Sequence, residues 1–191
     1  MRFNTKLLHG NKMGDANTGA TLTPVYQSSA FYQPSAEQHE KLFHNKATGF
    51  SYTRINNPTI FAFEERMTTL EGGIASVACA SGMAAITNAL LNIVTCGQEI
   101  VASTSLYGGS IDVFHDFEAF GIKTVFVDIS DVNAVEAAIN ENTRVIFAET
   151  IGNPKLDVVD IEALAELAHR HDLPLVMDNT VATAYLVKPI E

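Results

Sequence analysis

At 191 residues the chain has room for one large domain or two small ones, and its 47% hydrophobic and 18% charged composition is that of an ordinary globular protein. A formal net charge of -10 with no Lys/Arg cluster argues against a nucleic-acid partner, which would need a basic face for phosphates. No apolar run approaches the roughly 20 residues of a spanning helix, so no membrane role is expected.

Residues 1–57 scatter Gly, Asn, Thr, Gln and Ser without a sustained amphipathic period, which predicts an extended N-terminal arm. The first segment, "MRFNTKLLHGNKMG", lacks the apolar stretch and cleavage site of a secretory signal, so cytoplasmic residence is expected. Regular structure is predicted from "NNPTIFAFEERMTTLEGG": Asn57 caps, Pro58 suits the first helical position, and Gly72 suits the exit. Ile60, Phe63, Met67 and Leu70 then share one face.

From there the pattern alternates. A small-residue strand near "IASVACA" is followed by a helix through "MAAITNALLNIV", a strand at "EIVAST" and a helix at "SIDVFHDFEAF". Then come a strand at "TVFVDI", a helix at "VNAVEAAIN", a strand at "RVIFAET", a helix at "DIEALAELAHRH" and the strand "LPLVMD". Strands that are apolar throughout and separated by helices predict an α/β domain over 58–191, a mainly parallel sheet with helices on both faces.

Cys79 and Cys96, the only cysteines, form no CxxC or Cys/His spacing, and Cys79 is expected in the core. His169 and His171 stand two apart on different helical faces, which suits the C-terminal end of a helix dipole better than a metal, and no metal site is expected.

In parallel sheets ligands gather at the carboxyl ends of the strands, so the polar residues just beyond each strand carry the functional reading. Ser81-Gly82-Met83 opens a helix whose free backbone N–H groups can hold an anion. Tyr107 precedes Gly108-Gly109, Asn153 precedes a proline, and Asp178, Asn179 and Thr180 follow the last strand. Taken singly, each is also what a cap or turn requires. Together, an anion cradle, a tyrosine and an acid at separate strand ends are what a phosphorylated aromatic cofactor needs. The chain has no G-x-G and no GxxxxGK[ST], which argues against a dinucleotide or a nucleotide-binding module. Pyridoxal 5′-phosphate fits: a carboxylate against its ring nitrogen keeps the ring protonated, which accounts for Asp178 at the end of a buried strand.

"YTRINNPT" (52–59), "SGMAAI" (81–86), "YGG" (107–109) and "DNT" (178–180) stand in the order seen in the cysteine/methionine-metabolism family of pyridoxal-phosphate enzymes, which the whole chain resembles. The resemblance implies the aspartate-aminotransferase fold. Within that family, "YTRINNPT" and "ETIGNPKLDVVDIEAL" most resemble O-acetylhomoserine sulfhydrylases, whereas cystathionine enzymes usually carry a proline-containing ExPxNP at the place of "ETIGNP". It further implies that Tyr52 and Arg54 bind the cofactor phosphate of a neighbouring subunit, where a guanidinium fork suits phosphate oxygens. Ser81, Gly82 and Met83 would bind the same phosphate, Tyr107 would stack on the ring and assist proton transfer, and Asn153 would lie near the ring oxygen or the substrate carboxylate. Asp178 would hold the ring nitrogen and Thr180 would pack under the ring.

A homo-oligomer, a tetramer of paired dimers, is implied as well. The implied reaction is γ-replacement, in which sulfide displaces acetate from O-acetyl-L-homoserine to give homocysteine. One departure stands out. The family's Schiff-base lysine lies in a Ser-x-x-Lys segment after the "DNT" strand, and the seven lysines here (Lys6, Lys12, Lys41, Lys46, Lys123, Lys155 and Lys188) do not occupy that context. The expectation is therefore the N-terminal portion of a transferase, inactive alone, with the missing C-terminal part as a partner. The alternatives are a cystathionine γ-synthase or methionine γ-lyase of the same family, or a non-catalytic assembly module.

Overall fold

The alternation of apolar residues along the central strands decides the architecture. In the computed structural model, which describes residues 1–10 and 14–191, Ile100 and Ala102 of strand β1 (Glu99–Ser103) face one side of a sheet while Val101 faces the other. Strand β3 (Thr143–Glu149) repeats this, with Val145 and Phe147 on the first side and Ile146 and Ala148 on the second. Strands β2 (Lys123–Val127) and β4 (Leu175–Asp178) complete a four-stranded sheet of order β2-β1-β3-β4 in which every pairing is parallel. Helices cover both faces. Leu90 of α4 (Gly82–Leu91) and Phe114 of α5 (Gly108–Asp116) pack with Ile100 and Phe147, the Phe114 and Phe147 rings meeting edge to face at 5.1 Å. On the opposite face, Val135 of α6 (Val132–Ala138) and Leu164 and Leu167 of α7 (Ile161–Arg170) pack with Val101 and Ile146. A 3-10 turn, Phe117–Phe120, extends α5, and a short α8 (Thr183–Leu186) follows β4. The α/β class with a mainly parallel sheet is thus as expected.

The chain divides into two compact units, Met1–Ala78 and Cys79–Glu191, and the sheet belongs to the second. The first contains α1 (Phe3–His9), α2 (Ala36–Phe43) and α3 (Pro58–Glu71), with α1 packed against α3. The division by compactness falls after Ala78, so α3 groups with the arm. The arm is also not extended throughout, because α1 and α2 lie within it; residues 11–13 of the arm, Lys12 among them, lie outside the described residues. Helix α2 has a local cause that was legible: the Ser35 hydroxyl accepts the Gln38 N–H at 3.1 Å, the S-x-x-Q pattern of a capping box. Helix α3 begins and ends as its sequence predicts, with Asn57 accepting the Thr59 N–H at 2.8 Å and Gly72 at φ 76°. Its predicted apolar face is not uniformly covered within this chain: Leu70 is buried, but Ile60 and Phe63 are exposed.

Two further expectations fail for one reason. The strand expected near 74–80 does not form, and Ile74, Val77 and Cys79 are exposed. A strand exists only where another pairs with it, and no described residue offers this segment a ladder. By contrast, His169 and Arg170 do fall in the last turn of α7, with His171 at its C-cap, as the dipole argument requires.

Candidate functional site

Four strand and helix ends converge on one cavity of about 400 Å³ in the second unit, lined by Ser81, Gly82, Met83, Ile86, Tyr107, Glu149, Ile151, Asn153, Asp178, Thr180 and Val181. Parallel pairing explains the convergence, since it brings the carboxyl ends of β1, β3 and β4 to the same edge. Every residue of this unit singled out from the sequence as binding the cofactor lines the cavity. Tyr52 and Arg54 belong to the first unit, where both are exposed and the Arg54 guanidinium carbon lies 5.7 Å from the Tyr52 ring centre.

At the first corner the Ser81 hydroxyl accepts the Ala84 N–H at 3.1 Å and so caps α4. The N–H groups of Gly82 and Met83 are left without a partner among the described residues, at the positive end of the helix dipole. Such a helix start is able to hold an anion.

At the second corner Tyr107 stands at the N-cap of α5, and its side chain is 52% exposed, so the ring presents a face rather than filling a core. The two glycines after it lie in the first helical turn, not in a flexible loop. Gly109 is needed there for a steric reason. A Cβ at this position would come within 2.6 Å of Tyr107 Cε1, so the missing side chain is what lets the ring lie where it does.

At the third corner Asp178 ends β4. Its Oδ1 accepts both the Thr180 backbone N–H at 2.9 Å and the Thr180 hydroxyl at 2.5 Å. Oδ2 has no partner among the described residues. Thr180 therefore sets the orientation of a carboxylate that keeps one oxygen available. Asn153, in the loop after β3, completes the polar rim, while Met83, Ile86, Ile151 and Val181 supply apolar walls.

Sequence reasoning overlooked Glu149. It is the last residue of β3 and the register partner of Asp178, and its Oε1 accepts the Tyr107 N–H at 2.7 Å. Burial pushes its carboxyl above the ordinary range; the Tyr107 N–H opposes the shift and the nearby Asp178 charge adds to it. The signal that drew attention to Asp178, an acid closing an apolar strand, was equally present in "RVIFAET". Ser105 and Asp157 went unnoticed too; they join at 2.5 Å across Gly152, where a Cβ would strike both side-chain oxygens at 2.3 Å.

The donor set fits pyridoxal 5′-phosphate: free helix-terminal N–H groups for a phosphate, an aromatic face for a ring, and a half-satisfied carboxylate for a ring nitrogen. Among the described residues no lysine lines the cavity and no group of His, Cys, Asp or Glu has metal-site geometry. Comparison with known proteins agrees with the cofactor. An O-acetyl-L-homoserine sulfhydrylase of Corynebacterium glutamicum is 45% identical over 191 residues, covering 99% of this chain and 44% of that protein. An L-methionine gamma-lyase of Pseudomonas putida is 39% identical over 190 residues, covering 99% of this chain and 48% of that one. A Campylobacter jejuni protein assigned as an O-acetylhomoserine (thiol)-lyase, whose crystal structure contains N′-pyridoxyl-lysine-5′-monophosphate, superposes with a TM-score of 0.94 at 32% identity, over 100% of this chain and 47% of that one. The chain thus spans about half the length of the relatives it matches. The family described as Cys/Met metabolism PLP-dependent enzyme matches residues 4–191, and the chain belongs to that family.

Proposed function

We propose that this chain is the N-terminal portion of an O-acetylhomoserine sulfhydrylase, carrying the half of the pocket that holds pyridoxal 5′-phosphate and leaving the Schiff-base lysine to sequence beyond it. The observation that carries the cofactor assignment is the convergence of the α4 N-terminus, Tyr107 and the free Asp178 oxygen on one cavity. When bound, the cofactor supplies an electron sink that stabilises negative charge on the substrate's carbon skeleton.

The chain's own residues divide the work. Gly82 and Met83 bind the phosphate through backbone N–H groups, with Ser81 fixing the helix start. Asp178, aligned by Thr180, would hold the ring nitrogen through its free oxygen. Tyr107, at the N-cap of α5 on the cavity rim, would stack on the ring and could assist proton transfer through its phenol. Asn153 presents its amide to the ring oxygen or to the substrate carboxylate. Tyr52 and Arg54 reach the phosphate of a neighbouring subunit in a homotetramer.

The preference for O-acetyl-L-homoserine with sulfide rests on the 45% identical Corynebacterium glutamicum sulfhydrylase. The methionine γ-lyases, at 39% and 40% identity, keep a γ-lyase reading open. Assay of the complete holoenzyme separates the two. Homocysteine formed from O-acetyl-L-homoserine and sulfide is the expected result, and methanethiol released from methionine without homocysteine synthesis would reverse the assignment.

A further inference from the structure

Glu149 is 5% exposed and forms no ion pair among the described residues. A buried acid in that position is costly unless the surrounding dipoles need it. The groups facing it are two backbone N–H donors and two further acids: Tyr107 N–H from the start of α5, Asn153 N–H from the loop after β3, Asp178 from β4 and Asp157 from the same β3 loop. Both donors belong to residues that line the cavity.

We infer that Glu149 is a positioning residue: by accepting the Tyr107 N–H it fixes the point where the β1 loop turns into α5, and so holds the Tyr107 ring over the cavity. Its leverage comes from geometry. Tyr107 is the N-cap residue of α5 and has no side-chain capping bond, so the Glu149 carboxylate holds its backbone from across the strand gap. The Ser105–Asp157 bond ties the same two loops at a second point, and the pair of ties makes Tyr107 and Asn153 one rigid corner. The consequence for cofactor binding rests on the pyridoxal-phosphate reading of the cavity; the tie itself does not.

Nuclear magnetic resonance on the isotope-labelled 191-residue chain tests the tie without any cofactor. The Tyr107 amide shift should follow a single protonation lying above the ordinary glutamate range, and that titration should vanish in E149Q. In E149A, Tyr107 amide exchange should quicken by about tenfold or more, and the contact between its ring protons and the Gly109 α-protons should weaken. E149Q, whose amide oxygen can still accept, should restore both.

A wild-type Tyr107 amide that does not titrate, a titration that survives in E149Q, or a ring contact unchanged in E149A would each overturn the proposal. The wild-type titration decides the matter even if a variant misfolds. Equilibrium dialysis with pyridoxal 5′-phosphate runs beside it: wild type failing to bind at any concentration would count against the cavity reading, while the amide and ring signals would still judge Glu149.

Discussion

Among single residues, the site depends on what is absent at Gly109 as much as on what is present at Asp178. A methyl group at 109 would meet the Tyr107 ring within 2.6 Å, and the ring, exposed and hinged at one side chain, would yield before the backbone did. Gly109→Ala is therefore expected to weaken pyridoxal 5′-phosphate binding severalfold while leaving the melting temperature nearly unchanged, because the roughly 0.5–1 kcal/mol that alanine gains over glycine within a helix offsets the cost of displacing the ring. Fluorescence titration beside a thermal melt would show both. Glu149 gives the second prediction. Its carboxyl holds its proton to higher pH in the folded chain than at the ordinary value of 4.5, so the folded state binds more protons than the unfolded one just above that value. Stability from this group is fully present below about pH 4.5 and is lost as pH rises through the raised native value. Glu149→Gln should flatten that part of the curve, and denaturant melts across the range would reveal a wild-type slope that the variant lacks.

Among the strands and helices, β1 and β3 are the centre of the second unit because each is paired on both edges and packed on both faces. Phe147 is 1% exposed and meets Phe114 edge to face across the junction with α5. Phe147→Ala is expected to cost about 3–5 kcal/mol and, by loosening the seat of α5, to disturb Tyr107 as well. Chemical denaturation measures the first effect and the Tyr107 ring signals the second. The elements also show what could be read in advance. Helix α3 was legible from Asn57, Pro58 and Gly72 because caps act within a few residues. The strand expected at 74–80 was misread because a strand's existence depends on a neighbour that local sequence does not name.

At the scale of the whole chain, the lysines limit what it can do. Lys123 pairs with Glu99 at 3.0 Å at the opposite end of β1 from the cavity, and Lys188 pairs with Glu191. Efficient capture of an aldehyde needs an amine held beside it. Mixing the 191-residue chain with pyridoxal 5′-phosphate, reducing with borohydride and mapping the products should therefore give scattered substoichiometric labelling and no homocysteine. Stoichiometric labelling of one lysine together with turnover would contradict that expectation. The α/β alternation, the helix caps and the separated motifs could all be read from the amino acids in order, since periodicity, caps and turn chemistry are local properties of the chain. Folding in three dimensions was needed to establish that Thr180 orients Asp178, that Gly109 makes room for Tyr107, and that Glu149 grips the Tyr107 backbone 42 positions away. Those relations arise where parallel strands set distant residues side by side, and register between strands is fixed by packing rather than written in any short stretch.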